Sequence, residues 1–78
     1  MKLNEETIQE IELLLNYDSG SSQGGIKVHS HSASPAIVAA AKRLYDKKLV
    51  DQVDGGYLTS LGREAVEHLQ MAQRILQT

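Results

Sequence analysis

Between Ser34 and Leu69 the chain reads SPAIVAAAKRLYDKKLVDQVDGGYLTSLGREAVEHL, and the spacing of its apolar residues changes twice along that stretch. Ser34 offers a side-chain acceptor to free amides, and Pro35 follows at the first helical position, where its missing N–H is not needed. Ile37, Ala41, Leu44 and Lys48, with Val38 and Tyr45 beside them, recur at helical spacing, so a helix is expected from Pro35 to Lys48. After Leu49 and Val50 the period changes. The run LVDQVDGGYLT has the length of two short strands around Asp54, Gly55 and Gly56, residue types that accept the positive φ of a hairpin turn. Thr59 or Ser60 can then cap a last helix, expected from about Leu61 to Gln77. Everything else must pack against this helix, hairpin and helix.

Upstream, Asn4 can cap a first helix whose opening turn holds Glu5 and Glu6, and Leu3 can staple onto Ile8. Ile8, Ile11, Leu14 and Leu15 are its expected buried stripe. Glu5, Glu6, Gln9 and Glu12 then form either a solvated acidic face or an acidic docking face for a partner. Asp18 to Gly25 reads as a flexible Gly/Ser loop, and it is no phosphate loop: its glycines are adjacent and no Lys-Ser/Thr pair follows them. Ile26 to His31 alternates like a half-buried strand that can join the hairpin as a third strand.

The order of KRLYDKKLV closing one helix and GGYLTSLGREAVEHL leaving the hairpin resembles the second half of winged-helix proteins, a helix-turn-helix class. Through GGIKVHSHS, SPAIVAAAKRLYDKKLV and DGGYLTSLGREA the whole chain also resembles a family of small uncharacterised bacterial proteins, some of which carry the label of hypothetical DNA-binding proteins. The resemblance implies one winged-helix-like α+β domain over residues 1–78, ordered helix, strand, helix, β-hairpin, helix. A Gly/Ser loop and a strand replace the usual second helix, which is reduced or missing, so the usual docking geometry on DNA is not assured. It further implies a DNA-binding or transcription-regulatory role.

Charge is divided along the chain. Residues 1–18 hold one lysine against five carboxylates, whereas residues 35–63 hold five cations against three carboxylates, within a net charge of −2. On the middle helix Lys42, Arg43, Lys47 and Lys48 can meet phosphates, helped by Lys27, His29 and His31; equally, they can complement the helix dipole. The outward face otherwise offers Ala36, Ala39 and Ala40, whose methyls cannot read base edges. Asp51 and Asp54 on the hairpin would repel phosphate, which makes the hairpin a structural element. Replacing Arg43 and Lys47 by Glu is thus expected to abolish DNA contact at little cost to folding. Double-stranded DNA is the first expected partner. A protein-interaction module without DNA affinity is the alternative, favoured by the alanine face, the acidic first helix and the acidic hairpin.

The last helix is longer than a core this small requires, about 25 Å at 1.5 Å per residue. Leu61, Ala65, Leu69, Ala72 and Leu76 form one stripe, and Val66, Met71 and Ile75 extend the apolar surface around the helix. Val66, Leu69, Met71, Ala72, Ile75 and Leu76 are therefore the expected interface of a homodimer, with packing on the first helix of the same chain as the alternative.

Other chemistry is poorly represented. The chain lacks cysteine, so it has neither a disulfide framework nor a thiolate site. His29 and His31 on one strand face could chelate a metal only if a third ligand such as His68 joined them; two solvent-facing imidazoles beside Lys27 are the plainer reading, and on protonation these three would give a modest pH-dependent anion affinity. Ser30, Ser32 and Ser34 near the histidines lack a strained nucleophile turn, and no pair of carboxylates is spaced for acid and base roles, so no enzyme and no cofactor are expected. Phe and Trp are absent, leaving little to stack on single-stranded bases. With no apolar span and no leader-like N-terminus, a cytoplasmic protein off the membrane is expected.

Overall fold

The computed structural model describes residues 1–17 and 24–78. Their elements run α1 (Glu5–Leu15), β1 (Ile26–Lys27), α2 (Pro35–Asp46), β2 (Val50–Gln52), β3 (Gly55–Leu58) and α3 (Ser60–Leu76). The strands form one antiparallel sheet in the order β1-β3-β2. This is an α+β domain ordered helix, strand, helix, hairpin, helix, compatible with a small winged-helix-like fold. Between α1 and α2 the described residues hold only β1 and a turn at 29–33, in which the His29 carbonyl accepts from the Ser32 and Ala33 amides. The loop expected over Asp18 to Gly25 lies, apart from Gly24 and Gly25, outside the described residues.

Each helix starts where a side-chain oxygen meets its free amides. Asn4 accepts from the Thr7 amide at 2.8 Å, Ser34 from the Ile37 amide at 3.3 Å, and Thr59 from the Gly62 amide at 3.1 Å. The Thr59 hydroxyl also donates to the Lys48 carbonyl at 2.6 Å, so one side chain joins the start of α3 to the end of α2. Leu3 and Ile8 remain largely exposed, and the staple expected between them buries little.

The α2 helix ends at Asp46, short of Lys48, because Lys48 turns into the left-handed region at φ 63. The Lys48 amide returns to the Tyr45 carbonyl and the Leu49 amide to the Leu44 carbonyl, a Schellman closure. A lysine here bears the Cβ strain that glycine avoids, about 1 kcal/mol. Lys48→Gly is expected to raise stability by about 0.5 to 1 kcal/mol, seen as a melting temperature several degrees higher. A lower melting temperature would show that the Lys48 side chain contributes more than its backbone costs.

In the hairpin the linking residues are Val53 and Asp54, while the positive φ values sit one step later, at Gly55 (118) and Gly56 (70), inside β3. They accommodate a shift in register between Val50↔Leu58 and Gln52↔Gly55. The core gathers Leu13, Leu14, Tyr17, Val28, Ala40, Ala41, Leu44, Val50 and Val66 between the helices and one face of the sheet.

Candidate functional site

Along α1 the buried residues are Glu10, Leu13 and Leu14, followed by Tyr17 beyond the helix end; this i, i+3, i+4, i+7 stripe is rotated from the expected one through Ile8, Ile11, Leu14 and Leu15. A carboxylate therefore sits in the face that packs on α2. Burying it demands partners. Arg43 donates through Nε to Glu10 Oε2 at 2.9 Å, and Lys47 Nζ pairs with Glu10 Oε1. The Arg43 guanidinium also reaches the Glu6 carboxylate at 3.4 Å and its carbonyl at 3.3 Å. Burial pushes the Glu10 carboxyl up, but the hydrogen bonds and charges of Lys47 and Arg43 outweigh it and hold the group below the ordinary carboxylate range.

This cluster gives partners inside the chain to two of the four α2 cations expected at phosphates. Arg43 and Lys47 are committed to α1, because α2 turns the Arg43, Lys47 and Ala40 side toward Glu10. Ala40, expected on the outward face, is fully buried, and Tyr45, expected inward, is half-exposed. Lys48 is separated from the others by its turn, beside Tyr45, Asp46 and Thr59.

The other expected cations converge elsewhere. β1 stops at Lys27, so His29 and His31 do not share a strand face; they lie on the following turn, ring centroids 6.4 Å apart and tilted by 50°. Lys27, His29, His31 and Lys42 border a cleft of about 450 Å³ between β1, that turn, α2 and the hairpin. The Val28 amide donates to the Asp54 carbonyl at 2.8 Å and ties two of its sides together. Neither Lys27 nor Lys42 has an ion pair among the described residues. His68 does not join the two histidines, since no group of three metal-ligating side chains assembles among the described residues.

On the hairpin, Asp51 Oδ1 accepts from the Tyr57 amide at 2.9 Å, which gives this acid a structural task. Tyr17 is buried close to Gly55, and its hydroxyl finds no hydrogen-bond partner among the described residues. Burial first, then the charges of Asp51 and Asp54, push its ionisation up to about 12.

The α3 helix divides the expected dimer residues. Val66 is fully buried in its own core, and Leu69 is partly buried against that core. Met71, Ile75 and Leu76 are exposed at 54%, 67% and 82%, and Leu61 at 53%. Ala72 is exposed with them. No helix among the described residues is long and apolar enough to cross a membrane. The sequence-family comparison matches residues 1–77 to a family described as a family of unknown function (DUF5669). No curated protein and no solved structure matches the chain.

Proposed function

The chain belongs to the family of unknown function DUF5669, and from that premise we propose that it is a non-catalytic protein-interaction module on a winged-helix-like scaffold, pairing with a second copy of itself through α3. The observation that carries this reading is the second apolar face of that helix. At 3.6 residues per turn, Met71, Ile75, Leu61 and Ala72 fall within about 100° of arc, on the side opposite Val66. Their side chains are mostly in water. A second copy suits the face because Leu61 and Ile75 lie equally far before and after His68 along the chain. Two such helices crossing antiparallel at His68 set Leu61 of each against Ile75 of the other, the self-complementary pattern of a two-fold interface.

Sedimentation at high micromolar concentration is expected to show a dimer, and the double variant Met71→Lys with Ile75→Lys to show a monomer with unchanged helicity. A monomeric parent chain would overturn the proposal.

A second reading, DNA association, rests on Lys27, Lys42 and Lys48, which have no ion pair among the described residues. The ion pairs of Arg43 and Lys47 weaken it, and the exposed residues of α2 are otherwise Pro35, Ala36, Ala39, Lys42, Tyr45 and Asp46. Amide NMR with an arbitrary duplex at low salt tests it: salt-reversible shifts at those three lysines support phosphate contact, and a static spectrum ends it.

A further inference from the structure

We propose that the cleft bordered by Lys27, His29, His31 and Lys42 binds a small organic anion, a carboxylate carried on an apolar body. At about 450 Å³ the space falls within the range of about 300–1,000 Å³ common for small-molecule pockets. Its walls include Val28, Val38, Ala41 and Val53, which would cover an apolar body. Among the described residues that line it, two lysines and two imidazoles stand against a single acid, Asp54. That combination separates this site from the rest of the basic surface. Arg43 and Lys47 are paired with Glu10, whereas Lys27 and Lys42 have no ion pair among the described residues.

The backbone holds the site in shape. The Asp54 carbonyl is tied to the Val28 amide, and the His29 carbonyl accepts two amides of its own turn, so the segment carrying both imidazoles is fixed against the hairpin. Such prior ordering lowers the entropic cost of binding. A duplex backbone fits this arrangement poorly: it needs a row of cations along a surface, and it gains nothing from valine and alanine walls. A carboxylate on an aromatic or aliphatic body uses both halves of the site, charge at the border and burial along the walls.

Amide NMR titrations of the intact chain with 2-naphthoate, its neutral isostere 2-naphthamide, inorganic phosphate and an arbitrary duplex test the proposal. Saturable shifts are expected with 2-naphthoate at residues 27–31, 38–42 and 53–54, with 2-naphthamide and phosphate each at least about tenfold weaker. Lys42→Ala should lower 2-naphthoate affinity about tenfold, the usual scale for losing a charge-assisted hydrogen bond, while leaving helicity unchanged. Equal binding of 2-naphthamide would reduce the cleft to an apolar surface, and equal binding of phosphate to a charge patch; either overturns the proposal. So do shifts seen with duplex alone, shifts confined to the outer face of α3, or no saturation by about 10 mM.

Discussion

Replacing Gly62 by alanine is expected to leave the isolated chain largely unfolded. On helix propensity alone the change should help, since alanine exceeds glycine by about 1 kcal/mol inside a helix. Packing points the other way. A Cβ at Gly62 would lie 1.9 Å from the Leu49 carbonyl oxygen and 2.9 Å from its carbon, and both are backbone atoms that cannot rotate aside. To relieve the clash α3 must move off the segment entering β2. That movement strains the Thr59 amide bond to the same Leu49 carbonyl and the Thr59 cap on the Gly62 amide. Overpacking against side chains costs about 1 to 3 kcal/mol, and a backbone clash belongs at or above the top of that range. A core in a domain this small supplies only about 3 to 5 kcal/mol. Urea unfolding followed by circular dichroism is the measurement, and an alanine variant as stable as the parent would mean that α3 does not approach Leu49 so closely.

The charge reversal Arg43→Glu with Lys47→Glu should cost about 2 to 3 kcal/mol, contrary to the expectation from sequence that it would spare the fold. Glu10 is 8% exposed at its side chain and would face two new carboxylates in place of two cations. Breaking a fully buried pair costs about 3 to 5 kcal/mol. Arg43 at 25% and Lys47 at 56% side-chain exposure are partly screened by solvent, which lowers the figure. Adding Glu10→Gln should recover part of the loss, the coupling expected of groups in one network. A cost below about 0.5 kcal/mol would place the cluster with ordinary surface pairs. The pH dependence has a definite sign. The folded Glu10 carboxyl sits below its unfolded value, so the stability it contributes is complete above the unfolded value and is lost as pH falls through the folded one. Glu10→Gln should therefore flatten the acid limb of the stability profile.

The features legible in the sequence were the local ones. Asn4, Ser34 and Thr59 act as caps because capping needs only a side-chain oxygen and amides two or three residues on. The element order followed from changes of period that no distant contact could reverse. Helix rotation was harder to read. α1 has apolar residues on two overlapping arcs, and the arc that faces the core contains Glu10, a residue type ordinarily assigned to water. The spacing of Glu10, Leu13, Leu14 and Tyr17 held the signal. α3 was ambiguous in the same way, with one apolar arc for its own core and another left outside. The alternation over Ile26 to His31 looked like a strand, but the His29 carbonyl is taken by its own turn and leaves the sheet. The cleft was beyond reach, since its border joins three separated segments whose meeting depends on the order of strands in the sheet.

The strands β1, β2 and β3 are 2, 3 and 4 residues long. Sheet edges of this length are poor templates for recruiting further strands, and the β2 edge also carries the charge of Asp51. Among the described residues backbone pairing at these short edges is a weak route to open-ended polymerisation, so the apolar face of α3 has no long flat strand beside it. Concentrated solutions are therefore expected to stay clear, with no rise in thioflavin fluorescence.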